Sequence, residues 1–508
     1  MLYLTTAVQQ LNFPLFVNGE WKPAKSGDTF DVVNPATSQV IAKVSKAGSE
    51  DVEAAIQSAR QAYDSGVWSR KSPQERAAIL FNFSNKIVEH AQELGYLEVI
   101  SSGATVRRVT NSDIRQIVDL LQQTAKFMIE YPYVEALPSR SFPGPSNNQV
   151  WREPIGVVAA ITAWNFPMIL AMWKIAPALA MGNSIVVKPA SNTPLSTLKL
   201  AELAVQAGVP AGVFNVITGP GASVGEVLVK HPDVDKVAFT GSTEVGRRIM
   251  DMAAESVKRI TLELGGKSPA IVLPDADLKL AIPGILFGFC LHSGQICESG
   301  TRILVHVSIY DSVIEQLAKV ASTIKLGNPL SETTGMGPMV SKQQFETVLS
   351  YIDSGIQEGA RLVCGGKRVV EEGLENGYYI QPTIFADVQN DMTIAREEIF
   401  GPVLSVIRYS SEEEAVEIAN DSSYGLAAGV WSGDVNKAMK IARELKAGTI
   451  WINDWHMLRS DAPFGGYKQS GFGRELGRYA LDEYSQIKHV HCSLVPELNQ
   501  RPWYKILF

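Results

Sequence analysis

The sequence predicts an α/β protein with two domains in succession, each built on a largely parallel sheet covered by helices. Two observations predict this. From Ile155 onward, the β-branched runs "IGVVAAIT", "SIVVKPA", "VFNVITG", "DKVAFTG" and "RITLELGG" alternate with "STLKLAELAVQAG" and "STEVGRRIMDMAAES", whose apolar residues recur at helical spacing. That alternation builds parallel βαβ units with both sheet faces buried. A second series begins near Gly266, with "PAIVL", "RILVHVSI", "GYYIQPTIF", "GPVLSVIRY", "GLAAGVWS" and "GTIWIN" as strands, and no low-complexity linker or internal repeat separates the two.

The elements follow in chain order. Ser49 is positioned to cap a leading helix whose Val52, Ala55, Ile56 and Ala59 form one apolar stripe, with Glu50 and Asp51 favourable in its first turn. Ile155 to Trp173 runs 19 residues without a charge, close to the length of a membrane span. Asn165-Phe166-Pro167 divides it, because proline continues neither a helix nor a central strand. It reads as a buried strand, a turn and a buried helix. "QIKHVHCSLV" (486–495) is an isolated β-like run that would be an exposed edge if unpaired, so it joins a sheet elsewhere in the chain or in another subunit. The tail Pro496–Phe508, "PELNQRPWYKILF", is too apolar for a floppy terminus and is expected to pack on its own or a neighbouring subunit.

Composition excludes several function classes. With 508 residues, 45% hydrophobic and 19% charged, the chain is large enough for two to four domains and shows no disordered or tail-like charge block. A net charge of −7 gives no electrostatic footprint for nucleic acid. Cys290, Cys297, Cys364 and Cys492 are too few for a disulfide framework and contain no CxxC metal spacing, so no metal site is expected. "MLYLTTAVQQLNFPLF" lacks the basic and continuous apolar regions of a signal peptide. The expectation is a reducing, cytoplasmic compartment, with neither membrane nor nucleic acid as partner.

Chemistry concentrates at a few positions. "SGQICESGTR" (293–302) places Cys297 between glycines that let a ligand approach, and a cysteine attacks carbonyls reversibly once it is partly thiolate. Alone, such a cysteine is more often structural. His292, five residues earlier, reads as a packing residue rather than a base, since Cys–His pairs form in space and not in sequence. A better base is Glu263 of "TLELGG", at a strand end where open α/β sheets present ligand-binding groups, although a solvated strand-end acid looks the same. "GPGASVG" (219–225) has a strand-turn-helix setting but is one residue too long for GxGxxG. "FTGSTEVG" (239–246) opens a helix whose N-terminus suits a pyrophosphate, and Lys188 of "VVKPAS" suits a ribose or phosphate.

Together, "WNFPM" (164–168), "GNSIVVKPAS" (182–191), "FTGSTEVG" (239–246), "LELGGKSP" (262–269), "SGQICESGTR" (293–302), "EEIFGPV" (397–403) and "PFGGYKQSGFGRELG" (463–477) occur in one order. In this the sequence resembles the aldehyde dehydrogenase superfamily, over about residues 15–495. The resemblance implies a Rossmann-like parallel-sheet cofactor domain (1–134 and 154–265), an α/β catalytic domain (266–465), and a small β oligomerisation element with the tail (135–153 and 480–508). It implies that Cys297 forms a thiohemiacetal whose oxyanion is held by Asn165 and the cysteine's own N–H, and that hydride passes to nicotinamide. Glu263 would then activate water against the thioester, the hydrolytic rather than the coenzyme A branch. Trp164, Lys188, Ser191, Gly241, Ser242, Val245, Glu398 and Phe400 match cofactor-binding positions, with Glu398 on the nicotinamide ribose and Phe400 packed near it.

Departures and open choices remain. Many NAD-preferring members carry glutamate where this chain has Ser191, and a hydroxyl does not oppose a 2′-phosphate. NAD is therefore expected, with NADP accepted alongside it. The resemblance lines the substrate tunnel with Ile169, Leu170 and Trp173, with Glu298 beside the cysteine, and with Trp455 and Met457 of the loop 453–461. The aromatic residues favour an apolar or aromatic aldehyde, whereas Glu298 and Asp454 favour an amino-aldehyde. It also implies a homodimer or homotetramer. A nicotinamide-independent cysteine hydrolase would turn over without cofactor, and a non-catalytic relative would not depend on Cys297.

Overall fold

A computed structural model of the chain describes residues 11–140, 142 and 144–507. The first sheet has eight strands in the order Gly471–Phe472, Arg259–Glu263, Lys236–Thr240, Val157–Ile161, Ser184–Lys188, Phe214–Val216, Leu15–Val17 and Glu20–Lys22. The central five are parallel, and antiparallel strands close both edges. Every residue of Val157–Ile161, Ser184–Lys188 and Lys236–Thr240 is buried, which is why the interiors of these strands read as apolar runs. Side-chain alternation divides them between two cores. Val158, Ala160, Ile185 and Val187 face the wholly buried helix Pro167–Ala180. Val157, Ala159, Ile161 and Val186 face the helix Ser49–Ser65 through Val52, Ala55, Ile56 and Ala59.

The second sheet has seven strands, Arg361–Cys364, Thr383–Ala386, Val403–Tyr409, Arg302–His306, Pro269–Val272, Ala427–Trp431 and Thr449–Ile452, parallel except for the first. The chain passes between the two sheets twice: residues 264–268 lead from Glu263 of the first to Pro269 of the second, and the segment after Ile452 returns to the first sheet's edge at Gly471–Phe472. A third, three-stranded antiparallel sheet combines Ser485–Ser493, Ser146–Pro154 and Val134–Ala136.

Several sequence expectations acquire their physical form here. The uncharged stretch is the strand Val157–Ile161, a turn, and the helix Pro167–Ala180, and among the described residues no helix is long and apolar enough to cross a membrane. The run 486–495 joins a sheet within its own chain, pairing along Ser146–Pro154. Ser49 is the first residue of its helix and not the cap. Gly48 occupies the cap, and Asp51 reaches back to accept its N–H at 2.9 Å. Only Thr383–Ala386 of "GYYIQPTIF" enters the ladder, because Pro382 has no N–H to donate. "GPGASVG" makes a wide π-helical turn over Gly221–Gly225 before the short helix Glu226–Lys230, which accounts for its extra residue. The leader stretch weighed against a signal peptide begins in residues 1–10, outside the described residues.

Candidate active site

Cys297 follows a backbone reversal in which His292, Ser293 and Gly294 take φ of 50°, 57° and 73°. Three left-handed residues in succession are costly and need anchoring. Ser293 Oγ donates to Gly337 O at 2.7 Å, Gln295 Oε1 accepts from Val340 N–H at 2.8 Å, and Gln295 Nε2 donates to His292 O at 2.9 Å. The loop is thereby fixed before the cysteine is reached. Asn165, buried, donates from Nδ2 to Gln295 O at 2.9 Å, so the amide is oriented by the loop that carries the thiol.

Cys297 is half-buried, and its Sγ donates to Glu298 Oε2 at 3.0 Å. Burial raises the thiol well above its ordinary pKa, and the carboxylates of Glu298, Glu398 and Glu263 add to the effect. Glu298 is itself buried, which opposes its ionisation, yet hydrogen bonding and charge from His456 hold its pKa below the usual value. Nδ1 of His456 is 3.1 Å from Glu298 Oε1, and Trp455 Nε1 donates to Glu298 O at 3.2 Å.

Glu263 ends its strand opposite Thr240 on one side and Gly471 on the other. Its Oε2 is buried with no hydrogen-bond partner among the described residues. Burial, reinforced by Glu475, pushes its pKa well above the carboxylate range. Nearby, Lys174 Nζ bonds Glu475 Oε1 at 2.7 Å and Thr240 Oγ1 at 2.8 Å, a fully buried pair.

These groups open onto one cleft of about 260 Å³ at the junction of the two sheets. Its walls bring together Cys297, Glu263 and Asn165 with Trp164, Gly241, Ser242, Glu398 and Phe400. Glu398 Oε1 accepts the Gly266 N–H at 3.1 Å, and burial lifts this carboxyl to about 7. Trp164 meets Phe400 edge-on at 5.1 Å. Ser242 caps the helix Thr243–Ala254 by accepting the Val245 N–H at 3.4 Å, leaving Val245 exposed. Lys188 and Ser191 lie off this cleft. Lys188 Nζ donates to its neighbour Pro189 O, its amine lowered to about 8 by burial, and Ser191 Oγ donates to Gly219 O at 3.0 Å.

Trp455 is 1% exposed, its indole seated against Gly288, Gly300 and Gly429 in the core beside the second sheet. Ile169, Leu170 and Trp173 are also buried, at 4%, 3% and 3%, with Trp173 tilted against Phe464 at 5.2 Å. Met457 is exposed. A separate cavity of about 710 Å³ is lined by Phe166, Leu286, Phe287 and Leu291 together with Arg107 and Arg108. His292 packs edge-on against Phe166 at 5.5 Å, and burial drops its pKa well below the ordinary value.

The aldehyde dehydrogenase family profile matches residues 21–490. The chain belongs to the aldehyde dehydrogenase family. It is 46% identical over 483 residues to the betaine aldehyde dehydrogenase of Bacillus subtilis, covering 95% of this chain and 98% of that one. It is 47% identical to the B. subtilis protein DhaS, over 94% of this chain and 95% of that one. Among solved structures, the betaine aldehyde dehydrogenase of Staphylococcus aureus in complex with NAD+ superposes with a TM-score of 0.94 at 41% identity, covering 97% and 96% of the two chains. The NAD+ complex of an aldehyde dehydrogenase from Bacillus cereus gives 0.92 at 45%, covering 95% and 97%.

Four residues of this aldehyde dehydrogenase's site escaped sequence reasoning: His456, Gln295, Lys174 and Glu475. Lys174 carried a signal, being the charge that ends the apolar stretch after Trp173. Glu475 stood inside "PFGGYKQSGFGRELG" without a role. Gln295 stood inside "SGQICESGTR" and His456 inside the loop 453–461, each without a role.

Proposed function

We propose that this enzyme oxidises an aldehyde to its carboxylic acid with NAD, through covalent catalysis at Cys297. The observation that carries the reading is the convergence of Cys297, Asn165 and Glu263 on one cleft at the junction of two sheets. Cys297 Sγ adds to the aldehyde carbon, forming a thiohemiacetal. The Asn165 amide, held at Gln295, and the Cys297 N–H supply donors to the oxyanion. NAD, when bound, would supply the acceptor for the hydride lost from this carbon, which then stands as a thioester on Cys297. Glu263 then takes a proton from water as the oxygen attacks the thioester carbon, and the C–S bond breaks to release the acid and return Cys297.

The residues fit a dinucleotide. Ser242 opens a capped helix beside the cleft, a site for a pyrophosphate, and Gly265 leaves space where a Cβ would strike the Glu398 carboxylate. Glu398 and Phe400 would hold the nicotinamide end, and Lys188 and Ser191 the adenosine end. On this reading residues 1–134 and 154–265 form the cofactor domain and 266–465 the catalytic domain. Ser191 carries no charge against a 2′-phosphate, so NADP is used alongside NAD.

The substrates are apolar, aromatic or amino-aldehydes. The relatives named for betaine aldehyde favour the cationic class. The enzyme works as a homodimer or homotetramer in a reducing cytoplasm, in keeping with its four free cysteines. The decisive experiment follows NAD(P)H absorbance with propanal, an aromatic, a long-chain and an amino-aldehyde, in wild type and Cys297→Ala. Aldehyde-dependent cofactor reduction that vanishes in the variant is expected. Turnover surviving the substitution would refute the reading.

A further inference from the structure

Glu298 and His456 form an array with the nucleophile whose proton count is fixed by geometry. The His456 ring is boxed by Phe287 at 5.5 Å and by Trp451 and Trp455, each at 6.4 Å, and its backbone takes a φ of 59°. Nε2 lies 3.1 Å from Gly288 O, an atom that only accepts, so Nε2 carries a hydrogen. Nδ1 lies 3.1 Å from Glu298 Oε1. A bare Nδ1 lone pair facing a bare carboxylate oxygen would repel, so a proton sits between them. The pair is therefore neutral as a whole, a carboxylate beside an imidazolium. The other oxygen, Oε2, accepts the Cys297 thiol hydrogen at 3.0 Å.

We infer that Glu298, oriented and charge-compensated by His456, is the group that accepts the Cys297 thiol proton as sulfur attacks the aldehyde. The S–H bond breaks and an O–H bond forms at Glu298 Oε2. The electron pair left on sulfur makes the C–S bond, and the carbonyl π pair moves to the oxyanion. When the thioester is later hydrolysed, the departing sulfur takes the same proton back. The role of His456 follows from the charges facing the thiol. Glu298, Glu263 and Glu398 all oppose a thiolate, and a lone carboxylate acceptor would make matters worse. With His456 protonated behind it, the array passes from thiol, carboxylate and imidazolium to thiolate, carboxylic acid and imidazolium. Both states are neutral.

This rests on Cys297 as nucleophile, and the test separates the two. The rate of Cys297 alkylation by iodoacetamide, read by mass spectrometry of its peptide, needs neither aldehyde nor cofactor. It would be measured between about pH 6 and pH 10, spanning the ordinary thiol pKa near 8.5, for wild type, Glu298→Gln and His456→Gln. Thermal melting and NAD-induced fluorescence quenching report the fold of each variant. Glu298→Gln keeps the shape but takes no proton. It is expected to slow both alkylation at neutral pH and the pre-steady-state NADH burst by about a hundredfold, the lower range for lost general-base help, with the defect fading as bulk hydroxide ionises the thiol. His456→Gln is expected to act in the same direction. Alkylation of Glu298→Gln at or above the wild-type rate would mean that the carboxylate merely opposes the thiolate, and the inference falls. If Glu298→Gln does not fold, unchanged alkylation in His456→Gln overturns it equally. Aldehyde turnover by Cys297→Ala would instead remove the reading beneath it.

Discussion

Glu263, the proposed base, sits at a strand end. One of its carboxylate oxygens is buried without a partner, and burial together with Glu475 lifts its pKa well above the usual range, about 4.3 for a free glutamate. A base acts when deprotonated, so thioester hydrolysis should rise with pH and level off only above that raised pKa. Stopped-flow traces resolving burst from steady state would check this. Glu263→Gln should keep the burst and lose about a hundredfold or more of steady turnover, and a variant with both phases intact would remove the role. Glu475 tests the electrostatics. Glu475→Gln removes the carboxylate that raises Glu263 and leaves the cation of Lys174 unpaired. The acid limb should move to lower pH, and breaking a buried pair should cost roughly 3 kcal/mol of stability in denaturant titration. A limb that stays in place would show that burial alone sets the Glu263 pKa.

The junction between the sheets is the element on which the site depends. A Cβ at Gly266 would strike the Cys297 carbonyl, and that loop has little freedom to yield because Gln295, Asn165, Ser293 and Val340 anchor it. Gly266→Ala should therefore lower the NADH burst sharply and destabilise the protein by about 1–3 kcal/mol, both measurable on one preparation. Wild-type kinetics in that variant would mean that the loop moves freely. The strands around this junction were legible because a parallel strand covered on both faces reads as an apolar run, as Val157–Ile161 and the interior of Lys236–Thr240 do. The loop residues were not. His456 reaches Glu298 across 158 positions through a left-handed turn, and nothing in local spacing encodes that meeting. Trp455 was ambiguous for a related reason. A large aromatic beside a site reads alike as tunnel wall and as core, and the three glycines that seat it come from distant positions. Cofactor choice tests another turn: Ser191→Glu would place a carboxylate against a 2′-phosphate and should cut NADP turnover at least about tenfold relative to NAD. An unchanged ratio would show that other groups set the preference.

At the scale of the molecule, the third sheet is a ladder of its own, separate from those of the two larger sheets. The strand Ser485–Ser493 pairs along its whole length with Ser146–Pro154, and the chain then turns back across the sheet's end. Arg501 donates to Val495 O through Nε at 3.1 Å and Nη2 at 2.7 Å, and Trp503 rests on Gly144, where even a methyl group would come within 2.7 Å of its ring. The tail thus packs on its own chain at one side, in line with its apolar composition. Within the tail Leu498, Ile506 and Leu507 are 69%, 82% and 83% exposed. Exposed apolar side chains in one short segment favour contact with another subunit. Removing residues 497–508 should therefore have two effects. Loss of the Trp503 and Arg501 contacts should lower the melting temperature, consistent with about 1–2 kcal/mol for a large side chain partly removed from water. Loss of the exposed face should shift sedimentation toward a smaller species at a given concentration. A truncated chain that melts lower but sediments unchanged would confine the tail's role to its own subunit. One unchanged in both would show that these contacts contribute nothing to stability or assembly.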